Sequence, residues 1–280
     1  MAASEGSSAI SPTAHYTGET WVRNGLSHPR LATWQGRLFY DALRVPNAVS
    51  RRLGGPSLEP MLLARHRVID ALLEELIEGG VTQVIEAACG MSPRGWRFCE
   101  RYGDALTYVE ADLPAMARRK REALARMGSL GEHHRVEDLD LLRDGGPGSL
   151  EELVASMDPA QGLAIVTEGL LVYLDDETME ALWARLARAL KPFPTGAYLA
   201  DFRFARDGRG FAERAFEQLL GSFVRSDIHP FEGDEATAEA ALCAAGFEQV
   251  ELHRCDEHPA ARGAVPKAGA GMLSIIRAMA

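Results

Sequence analysis

Long apolar runs, paired cysteines and an excess of basic charge are all missing from this sequence, and each absence closes off a class of function. No stretch approaches the ~18 consecutive apolar residues that a membrane-crossing helix needs, so no membrane partner is expected. The four cysteines, Cys89, Cys99, Cys243 and Cys255, form no CxxC pair and no Cys/His set at zinc spacing. That argues against a metal site and fits a reducing compartment. Acidic residues outnumber basic ones by 40 to 30, for a net charge of −10. Such a surface disfavours binding to a phosphate backbone, so no nucleic-acid partner is expected. The densest basic cluster, Arg118, Arg119, Lys120 and Arg121, falls on a predicted helix and reads as a solvated face. The stretch from Met1 to Ile10 has neither a basic start nor an apolar core, so the expected location is cytoplasmic.

What is present suits an α/β protein. The chain has 280 residues, 46% of them apolar, enough for one large domain with added elements. Residues 1–12 are rich in Ala, Ser and Gly and read as a flexible tail. Up to residue 60 the character is mixed, with Tyr16, Trp21, Trp34, Phe39 and Tyr40. This part predicts short helices and irregular structure. Together, residues 1–60 form an N-terminal tail and helical cap, ending at the turn Gly54-Gly55-Pro56. From Met61 to Glu78, apolar residues recur every three and four positions, an amphipathic helix stopped by Gly79-Gly80.

Strands and helices then alternate. Val81–Ala87, Leu106–Val109, His134–Val136, Leu163–Thr167 and Ala197–Phe202 read as strands. The helices between them begin after Ser92 (as N-cap, with Pro93 at the first helical position) and span Pro114–Met127, Leu150–Met157 and Asp176–Leu190. A helix at Glu235–Ala245 precedes two closing strands, Phe247–His253 and Met272–Ala278. The pattern predicts a doubly wound, seven-stranded, mainly parallel sheet with an antiparallel edge. Residues 61–280 form this domain, and residues 203–234 interrupt it. That interruption carries Phe204, Phe211, Phe216, Phe223 and Phe231 and reads either as a helical lid or as plain packing.

Three strands run into an acid where a ligand of such a sheet would bind, at the carboxyl ends. The first leads through Glu86 into Ala87-Ala88-Cys89-Gly90-Met91-Ser92-Pro93. Gly90 can take a positive φ and carries no side chain to block a nucleoside. A dinucleotide site would need G-x-G-x-x-G so that a pyrophosphate meets bare backbone, and only one glycine is present here. The second leads into Glu110 and Asp112, twenty or so residues on, where a carboxylate can accept from ribose hydroxyls; Asp112 is also placed to cap the next helix. The third ends in Thr167-Glu168-Gly169, so that Glu168 is expected to face the same crevice as Glu86 and Glu110 and to suit a cationic ligand. Tyr173 offers a hydroxyl nearby or is simply buried.

The segment Glu110-Ala111-Asp112-Leu113-Pro114 with Lys120 ten residues after Glu110, and Thr167-Glu168-Gly169-Leu170-Leu171-Val172-Tyr173-Leu174, resemble the leucine carboxyl methyltransferase-like family. Ser11-Pro12-Thr13-Ala14-His15-Tyr16-Thr17-Gly18 and Arg23-Asn24-Gly25-Leu26-Ser27 resemble a bacterial branch, similar to polyketide (tetracenomycin-type) O-methyltransferases. The resemblance covers roughly residues 11–200. It implies a class I, Rossmann-like methyltransferase fold and S-adenosyl-L-methionine (SAM) as cofactor. It further implies that Arg65 holds the SAM carboxylate, with Arg23 as a second contact. By the same resemblance Gly90 is the loop glycine, Asp112 contacts the nucleoside, Asp138 and Leu139 border the adenine, and Glu168 is the acid after the fourth strand. Relatives usually carry two glycines and then acid–Thr–Arg in the loop. Here Ala88 replaces the first glycine, Ser92-Pro93 replace the acid and Thr, and Arg94 is retained.

The expected activity is therefore SAM-dependent O-methylation of a carboxylate or hydroxyl on a small, polyketide-like molecule, with Tyr173 as the candidate catalytic residue. A protein carboxyl terminus as acceptor, and a non-catalytic binding protein on the same fold, are the alternatives.

Overall fold

Strand β1, Val81–Ala87, is buried along almost its whole length because it lies mid-sheet, between β2 (Thr107–Asp112) and β4 (Gly162–Thr167). The strand order is β3-β2-β1-β4-β5-β7-β6, where β3 is His134–Asp138, β5 Gly196–Phe202, β6 Gln249–Arg254 and β7 Ser274–Met279. Strands β1 to β5 pair in parallel, and β7 runs antiparallel to both β5 and β6. The chain leaves β1 toward β2 and β3, then returns to start β4 on the other side. That reversal opens a crevice at the carboxyl ends of β1 and β4. The computed structural model describes residues 12–52, 57–205, 229–262 and 273–280.

The helices are α1 (Pro12–Arg23), α2 (Trp34–Arg52), α3 (Leu58–Glu78), α4 (Arg94–Tyr102), α5 (Pro114–Met127), α6 (Leu150–Ala155), α7 (Asp176–Leu190) and α8 (Glu235–Ala245). Strand alternation sends successive side chains to opposite faces. Ile85, Ala87, Val109 and Ile165 join Leu182, Trp183, Leu186 and Leu242 in one buried layer under α7 and α8. Val84, Tyr108, Ala164 and Val166 join Leu72, Leu73 and Phe98 in the other, under α3 and α4.

Three expectations are corrected. Residues 34–52 form one 19-residue helix that runs through Pro46, not short irregular pieces. Proline removes one helical hydrogen bond, but Leu43 packs on Tyr16, Leu58 and Leu62 and holds the helix there. At the start of α4, Pro93 itself takes the N-cap position; the Ser92 hydroxyl accepts from Arg94 N–H at 3.2 Å instead. Lys120 is fully buried, not part of a solvated basic face. Of the interrupting segment 203–234, residues 206–228 lie outside the described residues, with Phe211, Phe216 and Phe223, and so does the tail to residue 11. Phe204 and Phe231 are core residues, packed with Phe202 and Trp183.

Candidate functional site

The register places one row of groups along the carboxyl edge. Asp112 pairs with Asp138, Ala87 with both Ala111 and Thr167, and Thr167 with Ala200. Gly90, Asp112, Asp138, Glu168 and Asp201 therefore share that edge. In the turn after β1, Ala88 has φ 53° and Gly90 φ 52°. Ala88 thus holds a left-handed φ that glycine adopts freely and an L-residue adopts rarely. Asp112 Oδ2 accepts the Gly90 N–H at 2.7 Å, and its Oδ1 accepts Leu113 N–H at 2.8 Å. Burial raises the Asp112 pKa, against these two backbone donors. Among the described residues, a Cβ on Gly90 would meet Ala14 alone, at 3.7 Å, an ordinary van der Waals distance.

Arg65, on α3, is gripped from two sides. Its Nε donates to Glu168 Oε1 at 2.9 Å and its Nη1 to Asp201 Oδ2 at 3.0 Å. Its third nitrogen, Nη2, has no acceptor among the described residues. Glu168 Oε2 lies 2.9 Å from His66 Nδ1 and accepts from Arg94 Nη2 at 2.6 Å. Burial alone would raise the Glu168 pKa, but His66, Arg94 and Arg65 hold it well below the usual carboxylate range. Arg94 also donates to Asp70 Oδ1 and Glu86 Oε1, each at 2.6 Å.

Glu86 and Glu110 do not face the crevice, contrary to expectation. Both are buried one rung below the edge, opposite each other in the sheet and beneath α4. Glu86 takes Arg94 and the Tyr108 hydroxyl. Glu110 takes Lys120 and His134 Nε2, the latter at 2.7 Å. Gly95 lets α4 come this close, since a Cβ there would lie 2.4 Å from Glu110 Oε1. The physical reason is the rise along the strand: both acids of E-x-D lie on one face of β2, but only Asp112 is at its end, while Glu110 sits two residues earlier in the layer below.

Leu139 is buried and donates its N–H to Asp112 O at 2.8 Å, closing the edge beside β2; Asp138 is exposed and pairs with Arg121 at 3.2 Å. Helix α1 crosses above. Gly18 approaches Met91, Ala14 lies near Gly90, and the Trp21 ring centroid sits 4.8 Å from that of His66. Arg23, on another face of α1, pairs with Glu19 at 2.7 Å and Asp41 at 3.7 Å, and the structure does not bring it to the edge row. Tyr173 ends a short 3₁₀ turn, Leu171–Tyr173, within electrostatic reach of Arg65. Its hydroxyl has no hydrogen-bond partner among the described residues.

Sequence reasoning missed Asp201 and Asp70. Asp201 carries the same signal as the others, an acid near the end of an apolar strand. His66 and Asp70 sit four apart on α3, so one helix face presents both.

Residues 28–187 match the leucine carboxyl methyltransferase family. The chain belongs to that family. A Mycobacterium marinum relative, named as a SAM-dependent methyltransferase, is 28% identical over 217 residues, covering 72% of this chain and 69% of the relative. A Mycolicibacterium paratuberculosis relative of the same name is 35% identical over 120 residues, 43% of this chain; the match spans only 38% of that protein. Among solved structures, a DUF574 family protein from Streptomyces avermitilis superposes with TM-score 0.64 at 14% identity, covering 95% of this chain and 96% of its own. The fold is the class I methyltransferase fold, and SAM is the cofactor of these enzymes. The residues fit that cofactor. Among the described residues Arg65 Nη2 is left without an acceptor and could take a carboxylate, Gly90 puts no side chain over the turn, and each Asp112 oxygen keeps a lone pair that could accept from a ribose hydroxyl.

Proposed function

We propose that this methyltransferase acts on a small, polyketide-like molecule and places the methyl group on a carboxylate or hydroxyl oxygen. Tyr173 carries the reading: a half-buried residue whose hydroxyl makes no hydrogen bond to described residues, close to the arginine expected to anchor the cofactor. The turn that bears it is fixed, since Tyr173 N–H donates to Leu170 O at 3.0 Å and His229 N–H donates to Val172 O at 2.8 Å.

Bound SAM supplies an electrophilic methyl group. Arg65 would bind its carboxylate, Asp112 its ribose hydroxyls, and Leu139 and Asp138 would border the adenine. Glu86 and Glu110 act from beneath as structural acids. Glu168 holds Arg65 in place. Tyr173 would orient the acceptor oxygen; holding two reactants in line supplies much of the rate of such a displacement. A carboxylate acceptor needs no base, and none is assigned. The division this reading uses is a tail and helical cap at residues 1–60 and a methyltransferase domain at residues 61–280, and α1, which passes close to Gly90 and Met91, would exclude water from above.

The reading is tested by incubating protein and SAM with aromatic carboxylic acids, phenols and peptides ending in a free carboxylate, and measuring released S-adenosylhomocysteine by mass spectrometry. Turnover on the small carboxylic acids or phenols is expected, with kcat falling at least about tenfold in Tyr173→Phe. Turnover only on peptides would overturn the small-molecule reading, and an unchanged Tyr173→Phe would remove Tyr173 from the site.

A further inference from the structure

Asp201 divides its two oxygens between the two parts of the site that must stay in register. Oδ1 accepts the Gly169 N–H at 2.5 Å, and Oδ2 accepts from Arg65 Nη1 at 3.0 Å. Gly169 has φ 75°, and a Cβ there would lie 3.1 Å from Arg65 Nη2. The turn after β4 therefore presses its bare backbone against the guanidinium, and Asp201 ties turn and guanidinium to the end of β5. A guanidinium is a planar, rigid fork. With Nε fixed by Glu168 and Nη1 by Asp201, the direction of Nη2 follows from the plane alone.

We infer that Asp201 is a positioning residue: through Arg65 and the Gly169 turn, it sets the direction of the donor that receives the cofactor's carboxylate. The inference rests on the reading that Arg65 binds that carboxylate. In this role Asp201 acts through Arg65 and the Gly169 turn rather than on the ligand. Its side chain is nearly buried (6% exposed), so it works by holding the fork, not by adding field at the crevice.

The effect is specific to one end of the ligand, which separates it from a general loss of structure. S-adenosylhomocysteine carries the carboxylate; 5′-methylthioadenosine has the same nucleoside and no carboxylate. Binding of both is measured by calorimetry to the wild type, Asp201→Asn, Arg65→Ala and the double variant. Asparagine keeps an acceptor for Gly169 but presents an amide in place of one oxygen to Arg65. S-adenosylhomocysteine should bind Asp201→Asn about tenfold or more weakly, with 5′-methylthioadenosine changed by less than about twofold, and Asp201→Asn should add nothing in the Arg65→Ala background. Unchanged S-adenosylhomocysteine binding, equal losses for the two ligands, or a full additional loss in the double variant would each overturn the role of Asp201. Failure of the folded wild type to bind S-adenosylhomocysteine would instead overturn the reading of Arg65 on which it rests.

Discussion

Arg94 Nη1 lies 2.6 Å from Glu86 Oε1, and neither side chain is more than 1% exposed. The same guanidinium reaches Asp70 and Glu168, so one buried cation joins α3, β1 and the turn after β4. Three carboxylates depend on its fork.

Replacing Arg94 by lysine keeps the charge and loses the fork, leaving buried acids short of donors. Breaking a buried pair costs about 3–5 kcal/mol. Urea unfolding of Arg94→Lys should show a loss near that size. A loss under about 1 kcal/mol would mean that the network is looser than its distances imply.

The buried, paired acids at and below the crevice set the acid limb of stability. Against burial, the Glu168, Asp70 and Glu110 carboxyls are held below their ordinary values by paired cations. A depressed folded pKa gives stability that is present above the unfolded value, near 4, and is lost as pH falls through the folded one. Burial raises Glu86, whose contribution has the opposite sign and is lost as pH rises above about 4 toward its folded value. With three depressed acids against it, stability should fall below about pH 4. In Glu168→Gln the slope of unfolding free energy against pH below that point should be shallower. An identical slope would contradict the assignment.

Ala88 holds a conformation that costs an L-residue about 1–2 kcal/mol, and glycine takes it freely at some cost in chain entropy. Ala88→Gly should therefore raise stability by up to about 1 kcal/mol, and Ala88→Val should lower it. Thermal unfolding checks both; a destabilised glycine variant would show that the alanine methyl makes a packing contribution larger than the strain.

The elements that the sequence displayed best are those with a period and a punctuating residue. Pro114, Asp176 and Glu235 each begin a helix where expected, and Gly128 and Gly246 end two of them with a positive φ. The seven strands and the mainly parallel sheet followed from the alternation; their order came only with the structure. Helix α2 was hidden because Pro46 signals a break, while the packing of Leu43 that overrides it is a tertiary contact. The site was legible as a set of strand-end acids, and the rung on which each acid sits was not. Glu110 and Asp112 differ by one repeat of the strand, yet one is sealed with Lys120 and His134 and the other stands at the crevice. Lys120 read as a surface charge because it sits in a run of basic residues; its spacing from Glu110 was visible, but not that the two meet in a buried pair.

The central claim is that Arg65, clamped by Glu168 and Asp201, anchors SAM. Calorimetric titration of SAM into the wild type and Arg65→Ala, with circular dichroism to establish that both are folded, tests it most directly. The account predicts micromolar binding by the wild type and its loss in Arg65→Ala. A folded wild type that does not bind SAM, or an Arg65→Ala variant that binds it unchanged, would contradict it.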